Sequence, residues 1–161
     1  MKNDDCILLK KYLSRYYRAK QRNAILKNRL AEISEELEHP SVPPCKTDAM
    51  KVDTSEGGEG AASLVFKKAA VEDRIQKQIE SEVQIILDIN DVLECLPSDS
   101  VERSILELRH LDCKGWGYIS RATHLTRSPC YDHYKKGIRM LLQHPLVQKK
   151  LEAYKNHTRT E

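Results

Sequence analysis

Large aromatic side chains are scarce in this chain, with one Phe and one Trp among 161 residues. Its core must therefore be mostly aliphatic. Glycine is scarce too, six in all, and it clusters only in Gly57-Gly58-Glu59-Gly60. Valine-rich alternating runs are absent, which argues against a sheet protein and leaves an all-α fold. No stretch approaches the ~18 consecutive apolar residues of a membrane span, so no membrane partner is expected. The N-terminal MKNDDCILLKKYL is too polar for a signal peptide. The five cysteines (6, 45, 95, 113 and 130) are odd in number and lack Cys-x-x-Cys spacing. That usage suits a reducing cytoplasm better than a disulfide framework.

Enzymatic constellations are missing as well. Gly115-Trp116-Gly117 lacks the third glycine and the preceding strand of a nucleotide-binding loop. Cys113, His124, Cys130 and His133 could be grouped as zinc ligands, but the sixteen residues between the two cysteines match no common finger. His110, His124 and His133 have ordinary places on helices or turns, and no Ser/His/Asp set can be assembled. The expectation is a chain that is not an enzyme and holds no cofactor and no metal.

What the chain does have is helical periodicity. Residues 5–38 carry Leu9, Tyr12, Tyr16, Ala19, Asn23, Leu26, Leu30, Ile33 and Leu37 at spacings alternating between three and four. This heptad pattern predicts coiled-coil packing and homodimerisation through Leu9, Tyr12, Tyr16, Asn23, Leu26, Leu30, Ile33 and Leu37. The alternative is one helix of a compact bundle. Asn23 is the kind of polar core residue that fixes register and partner number. Residues 39–62, with Pro40, Pro43 and Pro44, read as a flexible linker. A second helix is expected at about 63–95, with Val71, Ile75, Ile79, Val83, Ile86 and Leu93 on one face, widened by Ile85, Ile89 and Val92. Between Cys6 and Ala31 there are eight basic residues and no acidic one, and Glu32, Glu35, Glu36 and Glu38 follow. The second helix has the opposite order. An antiparallel hairpin sets Lys10, Lys11 and Arg15 beside Asp88, Asp91 and Glu94, and Glu35 and Glu38 beside Lys67, Lys68 and Arg74. It can close within one chain or across a dimer.

Three amphipathic pieces then follow in residues 97–144. The first, at about 99–111, is expected to bury Val101, Ile105 and Leu108, with Asp99 and Glu102 as a capping box. Asp112 to Gly115 is a polar turn. Residues 116–123 form a short helix with Trp116 and Ile119 inward. After His124-Leu125-Thr126, a helix from about 127 to 142 carries Cys130, Tyr134, Ile138 and Leu141 as an apolar seam. Its other side holds Arg127, Ser128, Tyr131, Lys135 and Arg139, with Lys136 beside them. This is the layout of a helix-turn-helix, whose second helix enters the DNA major groove. Residues 98–161 have a net charge of +5, from twelve basic and seven acidic side chains, as a phosphate-facing surface requires. Residues 145–161 add a short helix with Leu146, Val147, Leu151 and Tyr154 at helical spacing, and then a frayed end.

Arg127, Ser128, Tyr131 and Lys135 are the candidate contacts to bases and nearby phosphates. Lys136, Arg139, Arg121 and Lys114 are candidate backbone contacts. Trp116, Ile119, Leu125, Cys130, Ile138 and Leu141 are the candidate core of the motif. The run Trp116-x-x-Ile119-Ser120, Leu125-Thr126-Arg127-Ser128, Tyr131 and Tyr134-Lys135-Lys136 resembles the C-terminal part of the ArpU/RinA-type phage transcriptional regulators. More distantly it resembles region 4 of bacterial sigma factors. The resemblance covers about 45 residues. It departs from the family at His124, where glycine is usual, and at Gly137, where alanine is usual and where glycine costs about 1 kcal/mol of helix propensity.

The resemblance implies a phage or prophage activator of late packaging and morphogenesis genes, working on double-stranded DNA in the bacterial cytoplasm. The expected organisation is residues 1–96 as a hairpin for oligomerisation, 97–144 as the DNA-binding domain and 145–161 as the tail. A second class of function is a protein-interaction module that grips RNA polymerase or another regulator through the hairpin, with only non-specific DNA affinity.

Overall fold

The computed structural model describes residues 3–39 and 61–158, and all regular structure among them is helical. Seven helices follow in order: α1 (Asn3–Leu13), α2 (Arg15–Glu38), α3 (Ala61–Leu93), α4 (Val101–His110), α5 (Trp116–Ala122), α6 (Arg127–Gln143) and α7 (Pro145–His157). Among the described residues, no helix is long and apolar enough to cross a membrane. Most of the expected linker, residues 40–60, lies outside the described residues.

The single helix expected over residues 5–38 is interrupted at Ser14. Its amide still bonds to the Lys10 carbonyl at 3.0 Å, and the Arg18 amide bonds back to the Ser14 carbonyl at 3.3 Å. The backbone thus pauses for one residue without losing its ladder.

Two compact units divide the chain. One holds the residues up to Lys20 together with those from Ser81 onward, and the other spans Gln21–Glu80. The boundary expected at residues 96–97 instead lies inside a single core. Leu9 and Leu13 of α1, Ile89 and Leu93 of α3, and Ile105 and Leu106 of α4 join Ile119, Ile138, Leu141, Val147 and Leu151 there. Each fully buried Leu or Ile contributes roughly 1.5–3 kcal/mol. Helix α6 is central to this unit and packs against α1, α4, α5 and α7. The expected tail belongs to the core as well, since Val147 is fully buried. Leu146, expected to pack with it, is exposed in the first turn of α7.

Two expected faces and some of the expected charge pairs are corrected. Val101 is exposed, and Ser100, not Asp99, caps α4 by accepting the Arg103 amide at 3.2 Å. Glu102 and Leu106 are buried beside the expected Ile105. On α3, Ile79 and Val83 are exposed while Ile89, Val92 and Leu93 are buried. The buried residues thus mix the expected face (Ile75 and Leu93) with residues expected only to widen it (Ile89 and Val92). Of the expected hairpin charge pairs, Arg15–Asp88 forms at 3.2 Å. Asp91 instead takes Lys150 of α7 at 2.8 Å, and the Lys10 ammonium sits 5.9 Å from the centre of the Tyr134 ring.

In the second unit, Asn23 and Ile75 are buried and Leu26, Leu30, Ile33 and Leu37 are half-buried. Arg74, expected beside Glu35 and Glu38, lines a groove with Arg22 and Arg29.

Candidate nucleic-acid interface

The segment from α5 to α6 is built around a tight turn at residues 123–126. His124 takes the left-handed conformation there, φ 55°, which a non-glycine residue adopts only when its surroundings hold it. Those surroundings are visible. The Leu125 amide donates to the Ser120 carbonyl at 3.1 Å, the Ser120 hydroxyl donates to the Leu125 carbonyl, and the Thr123 hydroxyl donates to the Ile119 carbonyl at 2.8 Å. In the turn before α5, Cys113 carries a positive φ of 56°, while Gly115 is extended and starts α5.

The residues expected as the core of the motif differ in burial. Ile119, Cys130, Ile138 and Leu141 are buried, whereas Trp116 and Leu125 are half-buried. Trp116 meets Tyr131 and Tyr134 edge-on, with ring centroids 5.5 and 5.4 Å apart. Such aromatic contacts contribute about 0.5–1.5 kcal/mol each beyond burial. The Arg109 guanidinium covers Trp116 at 5.4 Å, and the Lys135 ammonium lies 4.5 Å from the Tyr131 ring centre. Tyr131 is thus held between Trp116 and Lys135 with part of its ring exposed.

Arg127, Ser128, Tyr131, Lys135 and Arg139 all face solvent on α6, and Arg121 and Lys114 are exposed on α5 and the turn before it. The Arg127 guanidinium reaches back over α5, where its Nη2 lies 3.7 Å from the place a Cβ on Gly117 would occupy. Asp132, which sequence reasoning passed over, adds one carboxylate to the exposed side of α6.

Lys136 departs from the expected role. Its Nζ is 2.6 Å from Glu102 Oε1, and His133 Nδ1 approaches the same oxygen at 3.0 Å. Glu102 is nearly buried, and the Lys136 hydrogen bond, helped by Glu102's own amide and by His133, holds its carboxyl down at about 2 against the opposing effect of burial. Lys136 therefore clips α6 to α4, which leaves Arg127, Lys135 and Arg139 as cations of the outer face that form no ion pair among the described residues. Glu102 had read as a capping residue because its true partners lie more than thirty positions away in sequence.

A second internal link joins α4 to α6. His110 Nε2 lies 3.3 Å from the Tyr134 hydroxyl. Burial lowers the His110 imidazole to about 4 and raises the Tyr134 phenol to about 12, so both are neutral near pH 7. The suggested zinc set is dispersed into these roles: His133 faces Glu102 and Cys130 packs beside the Thr123 hydroxyl at 3.4 Å. Among the described residues no three His, Cys, Asp or Glu side chains cluster as metal ligands would.

The residues proposed for oligomerisation split in two. Leu9 and Tyr12 are buried in the chain's own core, with the Tyr12 ring edge-on to Tyr154 of α7 at 5.3 Å, and so cannot join a second copy. Tyr16 is half-buried against that same core. Asn23, Leu26, Leu30, Ile33 and Leu37 belong to the second unit. No known protein family, curated protein or solved structure matches this chain.

Proposed function

We propose that the chain is a sequence-specific DNA-binding transcriptional regulator of the ArpU/RinA phage type, reading double-stranded DNA as a dimer in the bacterial cytoplasm. In this reading α5, the His124 turn and α6 act as a helix-turn-helix, and the N-terminal half of α6 enters the major groove. One observation carries the proposal. Arg127, Ser128, Tyr131 and Lys135 stand exposed on one face, while Trp116, Tyr134, Ile138 and Leu141 fix that helix from behind. Arg127 is the residue for a guanine edge, since its guanidinium can donate in parallel to O6 and N7. Lys135, Arg139, Arg121 and Lys114 neutralise phosphates. Activation of late phage genes is the regulatory role that the family resemblance implies.

Alanine substitutions separate these roles. Arg127→Ala weakens binding to the preferred fragment by about 1–3 kcal/mol and relaxes base choice, whereas Lys135→Ala weakens binding to all sequences about equally. Unchanged affinity in both variants overturns the proposal. The other reading, a module that binds RNA polymerase or another regulator, draws on the exposed Phe66, Val65 and Ile25 of the second unit.

A further inference from the structure

In the second unit a groove of about 540 Å³ is lined by Arg22, Ile25, Leu26 and Arg29 of α2 and by Arg74, Lys77 and Gln78 of α3. Four cations converge and no carboxylate lines the groove. Among the described residues none of the four forms an ion pair. Its floor is partly apolar, and Ile25 is 52% exposed. An anionic partner that also carries apolar surface fits this chemistry better than a phosphodiester chain does.

The same helix carries the complement. From Arg22 to Ala31 α2 has Arg22, Lys27 and Arg29 and no acid; from Glu32 to Glu38 it has four glutamates and no base. All four glutamates are exposed, and among the described residues they carry no ion pair. Arg22, Ile25, Arg29, Glu32 and Glu36 recur at spacings of three and four, so they form one stripe that starts cationic and ends anionic. It is distinct from the seam of Leu26, Leu30, Ile33 and Leu37. A two-fold interface needs a surface complementary to itself. Two α2 helices running antiparallel satisfy this, because each cationic half meets the other's anionic half; a parallel pair opposes like charges.

We infer that this groove docks the acidic half of α2, around Glu32 and Glu36, from a second copy of this chain. The inference rests on the dimer in the proposed function and gives that dimer a surface. Exposed ion pairs are individually weak and screened by salt, so the dimer is reversible and salt-sensitive.

The test is sedimentation velocity of the full chain without DNA, so that it stands apart from DNA recognition. Circular dichroism checks that each variant keeps its helicity. Wild type is expected to dimerise at low salt, with a dissociation constant at least about tenfold weaker near 0.5 M salt. Arg22→Glu/Arg29→Glu and Glu32→Arg/Glu36→Arg are each expected to be monomeric alone and to form a heterodimer when mixed. A monomeric wild type overturns the inference, as does either variant dimerising like wild type, or a mixture of two folded variants that stays monomeric. If wild type is monomeric and the groove variant loses affinity for DNA, the groove belongs to phosphates; if it loses affinity for an acidic peptide, it belongs to another protein. Both results overturn the inference.

Discussion

Replacing Gly137 with alanine tests the packing of α6 most sharply, because two effects of opposite sign compete there. In an isolated helix the change stabilises by about 1 kcal/mol. In this protein a Cβ at position 137 falls 2.8 Å from Leu106 Cδ1, 3.2 Å from Glu102 Cβ and 3.6 Å from the Glu102 carbonyl oxygen. Leu106 is fully buried and has little room to rotate, and Glu102 Cβ moves only if α4 moves. Overpacking of this kind costs about 1–3 kcal/mol, and moving α4 also strains the Glu102–Lys136 clip. The net expectation is destabilisation by up to about 2 kcal/mol, or as much as roughly 4–8 °C in Tm for a chain of this size. Urea denaturation followed by circular dichroism measures it. In a Leu106→Ala background the worst clash is gone, so Gly137→Ala there is expected to be at least 1 kcal/mol less harmful. A Gly137→Ala protein more stable than wild type, in the presence of Leu106, refutes the close approach of α4 and α6.

Three further outcomes follow from buried polar groups. His110 titrates near 4 when folded against an ordinary 6.5, so the unfolded chain binds the extra proton first as pH falls. Stability is therefore lost between about pH 6.5 and 4, by roughly 3 kcal/mol from this group, and His110→Gln flattens the dependence of Tm on pH over that window relative to wild type. Glu102 is shifted the same way, from 4.5 to about 2, so its contribution is complete above pH 4.5 and disappears as pH falls towards 2. Glu102→Gln is expected to cost about 1–2 kcal/mol at pH 7, because Lys136 is mostly exposed and can be resolvated, and to cost much less near pH 2; equal loss at both values contradicts the clip. Asn23 Oδ1 is buried with no hydrogen-bond partner among the described residues. Asn23→Leu is thus expected to raise the urea midpoint by the equivalent of about 1–2 kcal/mol, and a lower midpoint shows that the oxygen is satisfied.

Local patterns in the sequence told more than distant ones. The α6 seam of Cys130, Tyr134, Ile138 and Leu141 was legible because one periodicity encodes one buried face, and all four are buried. The sequence marked His124 only as standing where glycine is usual, and the positive φ there is held by a turn closed by residues within five positions. Glu102 was not, since a carboxylate near a helix start looks the same whether it caps that helix or receives a lysine from α6. Gly137 read as a weak helix residue because the reason for glycine, the side chain of Leu106, lies on another helix. The heptads of α1 and α2 carried the same ambiguity: a period of 3.5 marks a buried face without naming its partner. Leu9 and Tyr12 spend that face on α6 and α7 of their own chain. On α3 the apolar residues cover more than half the circumference, and only packing decides that Ile89 is buried and Val83 is not.

The outer face of α6 is proposed to read DNA. Salt-titrated binding of the full chain to fragments from its own genomic neighbourhood, against random DNA, tests it most directly. One fragment is expected to bind at least tens-fold more tightly than random sequence, with a steep log–log salt slope that falls by about one unit in Lys135→Ala. Equal, weak binding to every fragment, unchanged by Arg127→Ala, contradicts it.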